Sequence, residues 1–507
     1  MHKRFLALLF AVLVLADVAR ATWSIVVVNH KTGEVCVASA TCIGGFDLKP
    51  ALCVIRVGEG GAAAQSVIDP TGLNRLTIWN ELQNGTPPNA ILAQLAAQDT
   101  LHQRRQYGIV SLRGGPATFT GSQCGQARFG VSGTTGDLSY AIQGNILTGN
   151  IVVTNAEAAF LASSGDLPTR VMAAMIAARD MGGDGRCSCS QMQPTSCGAP
   201  PPGFTYSAAT AFIVSSRLGD TDGVCNSGQG CANGQYWCDV RVIDGPPTGQ
   251  DPVVRMANQA IPFWRASLGG RADHFLTRVT KSAERIPADG LTTVTVDVEL
   301  RNIDDQGIDP FAPQLLVTSV DSPAVAIASA STDLGQGRLR FTLTSTGVVG
   351  RGRFLITVTQ GDQSRVRLWP ALEIEAVPAA PLVCGYETVS ASAGGSIPLW
   401  LDLSAARAAS SYLVLGTTSG TVPGIPFQGV QLPLNRDRFL NATFLHTAGG
   451  PFQGTAGALD GMGRAVATFV PPAGYLAPLI GRRIDWAAYI GGTPATVTNV
   501  AGFDVAP

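Results

Sequence analysis

The sequence predicts an α+β domain followed by two β-sandwich domains, and three observations lead there. Hydrophobic spacing changes near residue 274: before it, short apolar runs alternate with helical periods, and after it nearly every apolar run has the two-residue period of a strand. Gly (59) and Pro (31) are abundant, 45% of residues are hydrophobic and 14% are charged. That balance suits a loop-rich globular chain of short strands and excludes a disordered, collagenous or coiled-coil one. The stiff stretch Val377-Pro378-Ala379-Ala380-Pro381 then divides the strand-rich remainder in two. At 507 residues several domains are expected rather than one large core, with boundaries read at 22–274, 275–378 and 382–507.

Lys plus Arg (35) and Asp plus Glu (36) leave a formal charge of -1, so the chain has no basic field with which to hold nucleic acid. The N-terminus carries His2, Lys3 and Arg4, then an apolar run from Phe5 to Ala16, then Ala19-Arg20-Ala21 with small residues before a break. This reads as a signal peptide cleaved after Ala21, giving a secreted or periplasmic chain that starts at Thr22; no later run is apolar and long enough to span a bilayer.

Ser24 to Val28 and Val35 to Thr41 read as strands joined at Asn29-His30-Lys31-Thr32-Gly33, a hairpin signal. With Asn29 opposite Glu34, Thr22 falls opposite Thr41, beside Ser39 and Cys42. Thr86-Pro87-Pro88 opens a helix with Ile91, Leu92, Leu95 and Ala96 on one face. Asp166 caps a second, striped by Leu167, Val171, Met172, Met175 and Ile176 and ended by Gly182-Gly183. Further strands are expected through Ala51 to Val57, Gln106 to Leu112 and Ser207 to Ser215.

Ten of the eleven cysteines precede residue 240, at 36, 42, 53, 124, 187, 189, 197, 225, 231 and 238. In an oxidising compartment this even set reads as disulfides, and Cys384, standing alone, as a buried thiol. Zinc sites need paired spacings that Cys187-x-Cys189 and Cys225-x5-Cys231-x6-Cys238 do not supply. Gly219-Asp220-Thr221-Asp222-Gly223 lacks the spacing and distal Glu of a calcium loop and reads as a turn. The five His, at 2, 30, 102, 274 and 446, are scattered, and no phosphate loop is present; neither a metal nor another cofactor is expected.

In the second segment Val294, Val296, Val298 and Leu300 alternate with Thr295, Asp297, Glu299 and Arg301, Asp304-Asp305-Gln306-Gly307 makes a turn, and Phe354, Ile356 and Val358 repeat the alternation. Pro287-Ala288-Asp289-Gly290 with the strand after it resembles bacterial immunoglobulin-like modules of the invasin type over about thirty residues. Tyr412 to Gly416 and Leu432 to Asn435 resemble a C-terminal module of large secreted bacterial proteins.

Chemistry concentrates at Thr22. A threonine hydroxyl is a weak nucleophile that needs a base, and a free α-amine on the same residue, with a pKa of about 8, provides one. Thr22-Trp23-Ser24-Ile25-Val26, Thr32-Gly33-Glu34, Ala64-Gln65-Ser66, Phe119-Thr120-Gly121, Gln143-Gly144-Asn145-Ile146-Leu147, Gly182 to Arg186 and Asp251-Pro252-Val253 occur in an order that resembles the bacterial family called domain of unknown function 1028, over residues 22–260. That family is grouped with the N-terminal-nucleophile hydrolase fold, so the resemblance implies a four-layer αββα sandwich with its nucleophile, Thr22, opening a central strand. It makes Asn145, or the Gln143-Gly144 backbone, a candidate oxyanion donor. Gln65, Ser39 and Thr41 then either line a pocket or pair structurally, and Asp184 with Arg186 forms either a site-organising ion pair or a helix-ending turn. Where related enzymes of that fold carry a Lys this chain has Ser39-Ala40-Thr41-Cys42-Ile43, which leaves the α-amine as the base.

Two functions follow. One is an exported amidohydrolase acting on a small or peptidic substrate through Thr22. The other is a non-catalytic surface or adhesion protein whose segment 275–507 contacts a cell surface or an extracellular polymer, as binding module or spacer.

Overall fold

The first hairpin follows from its turn. Asn29 accepts from the Lys31 and Thr32 amides at 3.0 and 3.2 Å, Gly33 takes the left-handed conformation (φ 74°), and the chain reverses between β1 (Thr22–Asn29) and β2 (Val35–Thr41). Ser24 lies opposite Ser39 and Trp23 opposite Ala40, the register expected from the turn. This computed structural model describes residues 22–243, 249–362, 364–447 and 449–507; the expected leader at 1–21 lies outside the described residues. The chain divides into two compact units, the first ending at Ser267 and the second starting at Leu268.

In the first unit the chain continues through α1 (Leu48–Leu52), β3 (Cys53–Arg56), β4 (Gly60–Ser66), α2 (Leu73–Gln83), α3 (Pro88–Gln98), β5 (Arg105–Ser111), β6 (Gly115–Thr120), β7 (Phe129–Thr135) and β8 (Leu138–Asn145). It then forms α4 (Ile151–Ala162), α5 (Leu167–Asp180), α6 (Gly185–Ser188), β9 (Thr210–Ser216), β10 (Cys238–Ile243), α7 (Pro252–Arg255) and α8 (Ile261–Ser267). A six-stranded sheet ordered β10-β9-β2-β1-β8-β7 and a four-stranded sheet ordered β3-β4-β5-β6 are antiparallel throughout.

Strand alternation assigns each face. Trp23, Ile25 and Val27 of β1 pack against Phe160 of α4 and Val171 and Met175 of α5. Val26, Val28, Val35 and Val37 turn the other way, against Ile55, Ala63 and Val110 of the second sheet. The outer face of that sheet, through Ala62, Tyr107 and Ile109, covers Ile78 and Leu82 of α2 and Ile91 and Leu95 of α3. The layers therefore run helix pair, sheet, sheet, helix pair.

Local expectations hold with three differences, one being that the strand expected from Ser207 starts at Thr210. Asp166 caps α5 by accepting from the Thr169 amide at 3.0 Å, and Gly182 and Gly183, both with positive φ, end it. In α3, Pro87 stands at the cap without a side-chain bond, Thr86 donates to Glu81 instead, and Ala96 is exposed, so the buried face narrows to Ile91 and Leu95 with Leu92 half-buried. The strand expected from Ala51 starts at Cys53, because Asp47 caps a short helix over Leu48–Leu52 by accepting from the Lys49 amide.

The cysteine expectation needs correction. Six of the ten N-terminal cysteines pair, as Cys42–Cys187, Cys189–Cys197 and Cys225–Cys231, while Cys36, Cys53, Cys124 and Cys238 are buried thiols, as Cys384 was expected to be and is. Geometry explains one missed pair. Cys36 and Cys238 both lie opposite Ser215 from strands on either side of β9, and two strand spacings of roughly 4.8 Å exceed the Cα separation of about 7 Å that a disulfide spans. Burial pushes the Cys384 thiol up to about 11.

The second unit is rich in β-sandwich, with one short α-helix at Arg438–Leu445 among its described residues. One sheet, with strands at 278–281, 293–299, 338–345 and 325–327, stacks on another with strands at 285–287, 372–377, 350–359 and 314–319 over Val294, Val296, Val298, Phe341, Phe354 and Ile356. Thr295, Asp297 and Glu299 point outward, and Asp297 pairs with Arg340 across the strands at 2.6 Å. Asp289 accepts from the Leu291 and Thr292 amides, which makes the turn before that strand. A second pair of sheets encloses Leu399, Val414, Phe452, Phe469, Trp486 and Phe503. Among the described residues no helix is long and apolar enough to cross a membrane.

Candidate functional site

The layer between the two sheets of the first unit changes chemistry along its length. Away from Thr22 it is valine and alanine; towards Thr22 the same inward positions hold Ser24 of β1, Ser39 and Thr41 of β2, Gln65 of β4, Gln106 of β5, and Gln143 and Asn145 of β8, all buried. Two-residue alternation puts these residues on one face of each strand, and sheet stacking brings the faces together.

These groups form one network. The Gln65 amide donates to the Thr22 carbonyl at 3.0 Å and to Gln106 Oε1 at 2.8 Å, and its own oxygen accepts from Ser24 Oγ. Ser24 Oγ also reaches Ser39 Oγ at 2.9 Å, and Ser39 Oγ donates to the Trp23 carbonyl at 2.8 Å. Gln106 Nε2 donates to Thr120 Oγ1 and to the Gly144 and Phe129 carbonyls at 2.9, 2.9 and 3.2 Å. Ser39 and Gln65 are thus held by structural bonds. Gln143 behaves differently: its amide packs over Gly108, and among the described residues neither its nitrogen nor its oxygen has a hydrogen-bond partner.

Thr22 opens β1 and is 1% exposed, with Asn145 directly opposite on β8. Asn145 Nδ2 donates to Ser66 Oγ at 3.3 Å and to the Cys124 carbonyl at 3.2 Å, which commits both amide hydrogens within the fold. The backbone bends sharply beside it. Ser66, ending β4, and Ile146, following β8, have φ of 72° and 54°. For a β-branched residue the left-handed region is a genuine outlier, and such outliers cluster at functional sites.

Asp184 lies on the β2 side of the same end. Fully buried, it accepts from the Cys42 amide at 2.7 Å, caps α6 through the Arg186 amide at 3.0 Å, and holds Arg186 Nη2 at 2.8 Å. The ion pair is therefore buried and starts α6, rather than lying in an exposed turn that ends α5. The Cys42–Cys187 disulfide ties it to the end of β2, and Thr41, paired with Thr210, is buried just inside it. Of the two described lysines of the first unit, Lys31 is in the turn at the far end of β1 and Lys49 is bound to Asp239 at 2.7 Å.

An open cavity of about 620 Å³ adjoins this end, lined by Arg186 and by Ile43 and Val67, the near neighbours of Cys42 and Ser66. Ser24, Ser66, Gln106, Cys124 and Ile146 are members of the cluster that the sequence did not single out. Gln106, a polar residue at an inward strand position, left a legible signal; the bends at Ser66 and Ile146 left none. Asp220 follows a turn at Leu218 and Gly219 and accepts from the Arg217 and Trp237 amides, whereas Asp222, expected in a turn, instead ties a distant strand end by accepting from the Val57 amide and Arg56. Among the described residues no three His, Cys, Asp or Glu side chains gather as a metal site.

Residues 22–192 match the model of a family described as of unknown function, DUF1028. No curated protein matches the chain. A Silicibacter pomeroyi protein of that family, solved by crystallography, is 20% identical over 50% of this chain and 91% of its own, at a TM-score of 0.36. The Escherichia coli adhesin FdeC is 10% identical over 96% of this chain and 97% of its own, at 0.19. The Yersinia pseudotuberculosis adhesin InvE is 14% identical over 45% of this chain and 58% of its own, at 0.18. None of the three is similar enough to bring its activity to this chain.

Proposed function

We propose that the first unit is an exported N-terminal-nucleophile hydrolase-like protein that cleaves an amide bond, with Thr22 as nucleophile and its own α-amine as base. The observation that carries this reading is the convergence of the buried polar layer on Thr22. Burying so many hydroxyls and amides yields less than apolar packing would, and they culminate at one hydroxyl-bearing residue flanked by two bent backbones. In the proposed reaction Thr22 Oγ1 attacks the amide carbonyl carbon while its proton passes to the α-amine. That proton then goes to the leaving amine as the carbon–nitrogen bond breaks, and water hydrolyses the acyl ester. Asn145 or the Gln143-Gly144 backbone would donate to the developing oxyanion, and Asn145 would have to exchange a bond to Ser66 or Cys124 for it. The resemblance of residues 22–260 to a family grouped with that fold supports the assignment.

The experiment is the mass of the N-terminal residue of the exported protein, followed by amide-substrate screening of the wild type and Thr22→Ala. A free amine on Thr22 with stoichiometric acylation there is the expected result. Turnover unchanged in Thr22→Ala would overturn it.

A second reading, a non-catalytic surface or adhesion protein, is favoured by the commitment of both Asn145 amide hydrogens and by a second unit rich in β-sandwich. The three disulfides are compatible with an extracellular location for either. Binding of the full chain to cells or polymer that survives Thr22→Ala, with no acylation of the wild type, would select this one.

A further inference from the structure

The open cavity of about 620 Å³ at the Thr22 end falls in the size range of small-molecule sites, and its charges cancel. Four charged residues line it: Asp47, Asp69, Arg75 and Arg186. Arg186 is paired with buried Asp184 at 2.8 Å, and Asp47 with Arg241 at 2.8 Å. Arg75, 3% exposed, donates to the Ala51 and Asp69 carbonyls, and the Asp69 carboxylate is the counter-charge that opposes the cost of its burial. A charged ligand would therefore give up hydration here without meeting a surplus of opposite charge.

The rest of the wall is chiefly apolar. Ile43 and Phe46 come from the loop that leaves β2, and Val67, Ile68 and Pro70 from the loop that leaves β4. Both loops start at the candidate site. Ile43 follows Cys42, whose amide is held by Asp184 and whose sulfur is bonded to Cys187. Val67 follows Ser66, whose hydroxyl accepts from Asn145, the residue opposite Thr22. Ile43, Phe46 and Ile68 are only half-buried, which leaves apolar surface facing whatever enters the cavity.

We infer, resting on the hydrolase reading for the reaction itself, that this cavity is the specificity pocket of the Thr22 site and selects an uncharged amide that carries an apolar group. The apolar group lies against Ile43, Phe46 and Ile68, with the amide turned towards Thr22. An anion is repelled by Asp47 and Asp69 as much as it is drawn by Arg75 and Arg186, and for a cation the signs reverse. Neither gains enough to offset its lost hydration, whereas a neutral ligand gains from every apolar surface it covers.

The test uses the full chain and four probes, the neutral 3-phenylpropionamide, the anion 3-phenylpropionate, the cation 3-phenylpropylamine, and acetamide, which lacks the apolar group. Binding is measured by calorimetry and acylation of Thr22 by mass spectrometry. The expected result is saturable binding of 3-phenylpropionamide, at least about tenfold tighter than each of the other three. Ile68→Asp, which puts an uncompensated charge in the wall, should weaken 3-phenylpropionamide at least about tenfold, and Ile68→Ala only a few-fold. No binding of 3-phenylpropionamide at millimolar concentration, acetamide bound equally, or either ion bound as tightly would each overturn the proposal. So would full affinity in a folded Ile68→Asp variant, and the probe series is read on the wild type, so the test holds even where that variant fails to fold. The two readings fail differently. Binding in the expected order with no acylation of Thr22 by any amide would overturn the hydrolase reading and leave the pocket's preference standing, while acylation of Thr22 without that order would overturn the preference alone.

Discussion

Between the sheets of the second unit's first sandwich, Val294, Val296, Val298, Phe341, Phe354 and Ile356 meet as an apolar layer, whereas Ser24, Ser39, Gln65, Gln106 and Gln143 are buried between the sheets of the first unit. Both are pairs of sheets stacked face to face with similar alternation, so the contrast lies in what was placed inward. An apolar layer stabilises in proportion to the area it removes from water, about 25 cal/mol per Å². A polar layer must exchange water for internal partners and gains little from each bond. The second unit's interior is therefore accounted for by stability, and the first unit's is not, which is why function is sought at Thr22.

The largest effect expected on this contrast is from Phe354→Ala, which opens a cavity in the apolar layer. It should cost about 3–5 kcal/mol in the urea unfolding transition of the second unit and leave the first unit's transition unmoved. A loss under 1 kcal/mol would mean that this layer is not the source of that unit's stability. Next comes the disulfide asymmetry, since all three described bridges lie in the first unit. Replacing both Cys42 and Cys187 by Ala should cost the first unit about 2–4 kcal/mol, and a reductant should move its calorimetric transition and not the other.

A pH effect of about 2 kcal/mol is expected from Asp220, whose carboxyl burial pushes up to about 6 despite the amides that favour its anion. The unfolded carboxyl titrates near 3.8, so between those values the native state holds a proton that the unfolded state has released. Its contribution rises as pH falls from 7 towards 4 and is lost above about 6. Wild-type and Asp220→Asn proteins compared by denaturant melts should differ in slope over that window; parallel slopes would refute the assignment. The smallest effect sharpens the comparison from within the polar layer. The protein should be stabilised by about 1 kcal/mol on replacement of Gln143, whose amide has no partner at either end among the described residues, by Leu, while Gln106→Leu, which abandons the Gln65 donor and three acceptors, should lose about 1–3 kcal/mol. Equal effects at the two positions would show that bonding in the layer is immaterial.

Much of the site was legible because it rests on local rules. The Asn29 turn sets a register that carries Thr22 to the Thr41 end of β2, and Asp166 and Gly182-Gly183 bracket α5 as read. The family resemblance singled out Asn145, Gln65, Gln143, Asp184 and Arg186, and the fold places all five at the same end of the first unit or in the polar layer leading to it. Ser66 and Ile146 were missed because a positive φ in a residue with a side chain is imposed by its surroundings.

What the sequence by itself determined are the properties that depend on a few neighbouring residues: strand alternation, caps, the first hairpin and its register, and the switch to β-structure near residue 274. Tertiary structure decided which faces meet. The pairing of Cys42 with Cys187 across 145 residues, the isolation of Cys36 from Cys238 on either side of β9, and the chain of bonds from Ser39 through Gln65 to Gln106 all depend on which strands lie adjacent and which sheets stack. Period-two alternation states that a residue points inward; it carries no record of the residue it will meet, because that partner comes from a distant strand whose position is chosen by the packing of the whole unit.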